Sequence, residues 1–74
     1  MEETRKAQLL DFIKNAKIKG KGVTIMISNP NHPKYEEIYN PVENLAFKLR
    51  FYQDAYTDDL HHKHNDSIVI ESWQ

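Results

Sequence analysis

Three histidines, His61, His62 and His64, share one nine-residue segment with three carboxylates, Asp58, Asp59 and Asp66. Neutral imidazole nitrogens and carboxylate oxygens suit zinc or nickel. A structural zinc site, however, holds its ligands on defined elements and fixes each ring by outer hydrogen bonds. This segment is expected to be an exposed link between a helix and a strand, which provides neither, so it is read as a polar loop that binds metal adventitiously, with no specific site assigned. Asp54 and Asp58 lie four residues apart, and Asp58 adjoins Asp59. Paired carboxylates do acid-base work only where a pocket drives their pKa values apart. A chain of 74 residues barely covers one core. These aspartates are therefore read as surface charge near a helix C-terminus, where the dipole disfavours them. An acidic cluster of that kind also suits recognition of a basic partner.

Other chemistry is poorly supplied. Cysteine is absent, which removes disulfides, thiolate metal sites and cysteine catalysis. Both glycines fall in Gly20-Lys21-Gly22, outside any phosphate-loop pattern. Ser28, Ser67 and Ser72 sit in or beside expected strands with no nucleophile elbow. No catalytic, cofactor-binding or metal-ligating residue is assigned, and the chain is read as a non-enzyme without a cofactor.

What remains is a recognition chemistry. Residues 40–60 form a helix signal with aromatic side chains on two faces. Asn40 is expected to cap the helix, Pro41 to occupy its first turn, and Glu43 to complete a capping box. Projected over residues 41–59, Val42, Leu45, Leu49, Tyr52, Tyr56 and Leu60 make one apolar stripe. Phe47 and Phe51 fall nearly opposite, four residues apart and hence adjacent, with Arg50 and Asp54 beside them. One apolar face builds a domain, so the second must meet something else: the first helix, a second copy across a two-fold axis, or another protein. Phe47, Phe51, Arg50 and Asp54 are the candidate interaction residues. Phe47, Lys48, Arg50 and Phe51 also have the composition that stacks on single-stranded nucleic acid.

The elements that position these residues are few. Residues 3–17 are expected to form a helix, with Leu9, Phe12, Ile13 and Ala16 at helical spacing, Leu10 at the edge and Gly20 and Gly22 ending it. Residues 22–28 alternate and are β-branched, with Val23, Ile25 and Ile27 on one face. A turn over residues 29–33 contains Pro30 and Pro33, and residues 34–39 return antiparallel as a charged edge strand. After the histidine link, residues 67–73 form the last strand, with Ile68 and Ile70 on one face and Val69, Glu71 and Trp73 on the other. The fold class is thus α+β: one small domain over residues 1–74, a two- or three-stranded sheet and two helices in the order α-β-β-α-β. The last strand either pairs antiparallel with the free edge of the first or closes a parallel βαβ unit.

Charge is uneven under a net of −1. Residues 1–22 hold six basic side chains against three acidic ones, while the remainder holds four against eight. A solvated helix face explains the basic start, and a small nucleic-acid-binding module is the alternative. No apolar run approaches the ~20 residues of a membrane span, and the charged N-terminus is unlike a signal peptide, so a cytoplasmic protein is expected.

From Val23 to Trp73 the sequence resembles small uncharacterised proteins of phages and prophages of Gram-positive bacteria. The residues that carry the resemblance are Val-Thr-Ile-Met-Ile, Tyr-Asn-Pro-Val-Glu-Asn-Leu, Phe-Tyr-Gln-Asp-Ala-Tyr-Thr-Asp-Asp-Leu and Ile-Val-Ile-Glu-Ser-Trp. The group brings no activity to any position. It implies a phage-associated intracellular setting, in which many short proteins act by binding host or phage proteins.

Overall fold

Thr4 starts the first helix: its hydroxyl oxygen accepts the Ala7 N–H at 3.0 Å, satisfying one of the free donors at a helix start. The helix, α1, runs Arg5–Lys19 and ends at Gly20 in a left-handed conformation (φ 71°). The Gly20 N–H reaches the Lys17 carbonyl and the Lys21 N–H that of Ala16, a Schellman closure that needs a residue free to adopt positive φ. In this computed structural model residues 3–31 and 34–74 are described. The expected Pro33 of the first turn and the Glu2 charge lie outside them; within the turn, the Asn29 side chain accepts the Asn31 N–H at 3.0 Å.

Strand β1 (Val23–Ser28) buries every second residue, with Val23, Ile25 and Ile27 inward as expected. β2 (Glu36–Asn40) returns antiparallel, pairing Ile38 with Ile25 and Asn40 with Val23. A 3-10 turn (Val42–Asn44) leads into α2 (Leu45–Ala55). The last two strands are β3 (His61–His62) and β4 (Asn65–Trp73). The class is α+β, and the sheet has four strands in the order β2-β1-β4-β3, all antiparallel. The parallel alternative for the last strand is thereby corrected: β4 lies antiparallel against the free edge of β1. Both helices contribute to the one core with the sheet's inward face, through Leu9 and Ile13 of α1, Leu45 and Tyr52 of α2, and Val23, Ile25 and Ile70 below them. A thickness of 18 Å matches these two layers.

Three local expectations are corrected. Asn40 does not cap α2. As the last ladder residue of β2 it is buried, and its amide donates to the carbonyls of Val23 (3.2 Å) and Ile38 (3.3 Å), so no side chain caps the turn that follows. α2 is also shorter than residues 41–59. Tyr56 turns to extended backbone (φ −122°, ψ 149°) and bridges to His62. Tyr56 and Leu60 are buried as the helical projection requires, but through a chain reversal in which Leu60 takes φ 64°. Finally, Trp73 changes face. The β1–β4 register skips Glu71, pairing Ile27 with Ile70 but Ile25 with Trp73, so Trp73 joins Ile70 on the core side.

Candidate functional site

The C-terminus of α2 decides where the candidate site lies. A helix ends with carbonyls that have no partner of their own. Here Lys6 of α1 supplies donors, its ammonium lying 3.2 Å from the Gln53 carbonyl and 3.1 Å from that of Tyr56. The Lys63 N–H takes the Ala55 carbonyl at 2.9 Å. The chain therefore folds straight back on α2. Thr57 N–H to His61 carbonyl (2.8 Å) and Ile70 N–H to Leu60 carbonyl (3.0 Å) fix the reversal. This carries the β3–β4 hairpin up beside the exposed side of α2.

An open groove of about 600 Å³ results. One wall is α2, through Phe47, Arg50, Phe51, Asp54 and Ala55, which recur at helical spacing. The other is the hairpin, through His62 and His64. Phe47 is 70% exposed and Phe51 39%. Phe51 sits edge-on to Tyr52 (5.2 Å between centroids) and to Tyr56 (6.3 Å), so its inner edge is anchored in the core's aromatic cluster. The Lys48 ammonium lies 5.1 Å from the Phe51 ring centre, a cation–π contact that holds this cation at the rim. Tyr56, buried in the core, meets His62 edge to face at 5.2 Å, which ties the hairpin to the core beside α2.

The histidine rings are ordered by backbone. His62 Nδ1 accepts the His64 N–H at 3.1 Å, which leaves the proton of the neutral ring on Nε2. His61 Nδ1 lies 2.8 Å from the Asp66 carbonyl; since a carbonyl only accepts, Nδ1 carries the proton. The expectation of a polar link between a helix and a strand is thus corrected: the first two histidines form a strand of their own, β3, and the third lies in its turn. Two residues give no alternation to read, so sequence pattern missed this strand. Among the described residues, no three His, Asp or Glu side chains are grouped so as to hold a metal ion.

The four sequence-derived candidates, Phe47, Arg50, Phe51 and Asp54, all line the groove, and the structure adds Ala55, His62 and His64. α1 does not cover the phenylalanines. It packs against another flank of α2, where Lys14, Lys17 and Ile18 of α1 and Leu49 of α2 border one cleft. Among the described residues neither Arg50 nor Asp54 carries an ion pair. Two of the basic residues of the first third are used internally. Arg5 donates to the Glu71 carbonyl at 2.7 Å, at the β4 irregularity, and lies 5.7 Å over the Trp73 ring. Lys6 closes α2. Lys14, Lys17, Lys19 and Lys21 stay exposed at the end of α1 and beyond.

Burial raises the phenol pKa of Tyr52 and of Tyr56 above its ordinary 10.0; the Asn40 side chain opposes the rise at Tyr52 and Tyr56 adds to it, while Glu36 adds to it at Tyr56. Both phenols therefore stay neutral, as buried core groups behind the groove rather than part of its lining. Chemically, the groove can take an apolar side chain between two aromatic faces and meet polar neighbours with one guanidinium, one carboxylate and two imidazoles. Comparison with protein-family models, curated proteins and solved structures gave no match.

Proposed function

We propose that this protein is a small non-enzymatic accessory protein that acts by binding another protein through the groove between α2 and the β3–β4 hairpin. The observation that supports it is the exposure of Phe47 and Phe51 on a helix whose opposite face already fills the core. Fully covering a phenylalanine is worth about 1.5–3 kcal/mol, most of which is unused at Phe47 and a smaller part at Phe51. Aromatic anchors with an arginine beside them are the composition on which binding energy concentrates. The resemblance to phage and prophage proteins supports an intracellular setting and a host or phage protein as the target. No helix among the described residues is long and apolar enough to cross a membrane.

The test is affinity capture from bacterial lysate with the native chain and with Phe47→Ser/Phe51→Ser. The native chain is expected to retain a discrete protein that the variant loses while staying folded. Equal retention by both, or retention of nucleic acid alone, overturns the reading.

A further inference from the structure

The groove wall on α2 carries one positive and one negative group, Arg50 and Asp54, one helical turn apart and flanking Phe51. Neither has an ion-pair partner among the described residues, although their spacing permits one within the helix. A face with this order of charges is complementary to itself. When two such helices lie antiparallel about a two-fold axis near Phe51, each Arg50 stands opposite the other copy's Asp54, and the two Phe51 rings meet at the centre. Phe47 then extends past the middle of the neighbouring helix towards its far end. An antiparallel pair is the arrangement that satisfies both charges at once; a parallel pair would set like against like.

We infer that the groove is occupied by a second copy of this chain, in a two-fold dimer joined along α2. The inference rests on the reading of the groove as a protein-binding surface: the second copy covers it in the free protein, and a target protein takes that copy's place. The aromatic stripe supplies the apolar centre of such an interface and the Arg50/Asp54 pairs its polar border. The charges also set the register, since sliding one helix by a turn separates both pairs.

Charge reversal tests this without touching the core, because both side chains are exposed. Sedimentation is measured for the native chain, for Arg50→Asp, for Asp54→Arg, and for an equimolar mixture of the two variants. Thermal melts of each variant check that it is folded. The native chain is expected to sediment as a dimer. Each variant alone gathers four like charges at the interface and should be monomeric at the same concentration. Their mixture pairs opposite charges at both positions and should recover the dimer. A native chain that stays monomeric at high concentration overturns the inference. A dimer that persists in both single variants does so too, since it must use another face. If the native chain is monomeric yet still retains a lysate protein through Phe47 and Phe51, the second copy is excluded and the proposed function stands.

Discussion

Lys6 should contribute more to stability than any other charged side chain on the surface of this fold, and the structure says why. Its ammonium reaches two carbonyls at the end of α2, those of Gln53 and Tyr56, and lies 3.7 Å from the Asp58 carboxylate. Its side chain is 17% exposed, against 72% for Asp58. Replacement by methionine keeps the stem and removes the charge. A hydrogen bond to a charged group contributes about 1.5–3 kcal/mol, and a cation at a helix C-terminus about 0.3–1 kcal/mol. Water can re-solvate part of what is lost at this half-open site, so Lys6→Met should cost about 2 kcal/mol. In a domain of this size each kcal/mol moves the melting temperature by roughly 4–8 °C, which makes the expected fall about 8–16 °C. Asp58→Asn removes only an exposed ion pair and should cost less than about 1 kcal/mol. Thermal melts of the two variants against the native chain provide the assay. Equal, small effects from both would show that the ammonium is a surface charge and not the closure of α2.

Two further outcomes follow from buried groups. Leu60 is fully buried with φ 64°, so Leu60→Ala should cost about 2–5 kcal/mol, yet Leu60→Gly should be no worse than Leu60→Ala; in denaturant unfolding, a glycine variant about 1 kcal/mol below alanine, as at ordinary positions, would show the site is unstrained. Tyr52 and Tyr56 have folded pKa values above the ordinary 10.0, so their contribution is complete below pH 10 and lost as pH rises through the folded values, where the native state holds protons that the unfolded chain has released. Stability measured from pH 8 to 11 should fall above pH 10 and fall less steeply in Tyr52→Phe; identical slopes in the two chains would contradict the assignment.

The residues of β1 made its course legible, because alternation with β-branched side chains specifies both the strand and its buried face. The stripe Leu9, Ile13 and Ala16 likewise identified the buried face of α1, though Phe12 at the same spacing is left 39% exposed at the edge of a cleft with Lys19 and Lys21. The candidates Phe47, Arg50, Phe51 and Asp54 were legible for a related reason: a helical projection places them together whatever the helix packs on. What the sequence hid depends on contacts far along the chain. Asn40 has the chemistry of a cap, but its place opposite Val23 claims its amide for the sheet. The end of α2 is set by Lys6, 50 residues before Tyr56, and by the bridge to His62, neither of which a local window contains. Trp73 follows from a skipped residue whose carbonyl is taken up by Arg5, 66 positions away. His62 and His64 join the groove only because the chain reverses at Tyr56, so the hairpin wall of the site depends on a contact that no local pattern contains.

Phe47 and the outer edge of Phe51 form a surface of this fold and are not covered by its own chain. Equilibrium urea unfolding of Phe47→Ser/Phe51→Ser, in dilute solution where both chains are monomeric, tests it most directly. Phe47 is largely exposed, and Phe51 gives up edge-to-face contacts with Tyr52 and Tyr56 worth about 0.5–1.5 kcal/mol each. With the apolar area that Phe51 keeps covered added to those contacts, the expected result is a cooperative transition with a total loss of no more than about 5 kcal/mol. A loss approaching that of two core phenylalanines, about 3–5 kcal/mol each, or a variant that does not fold, would contradict it.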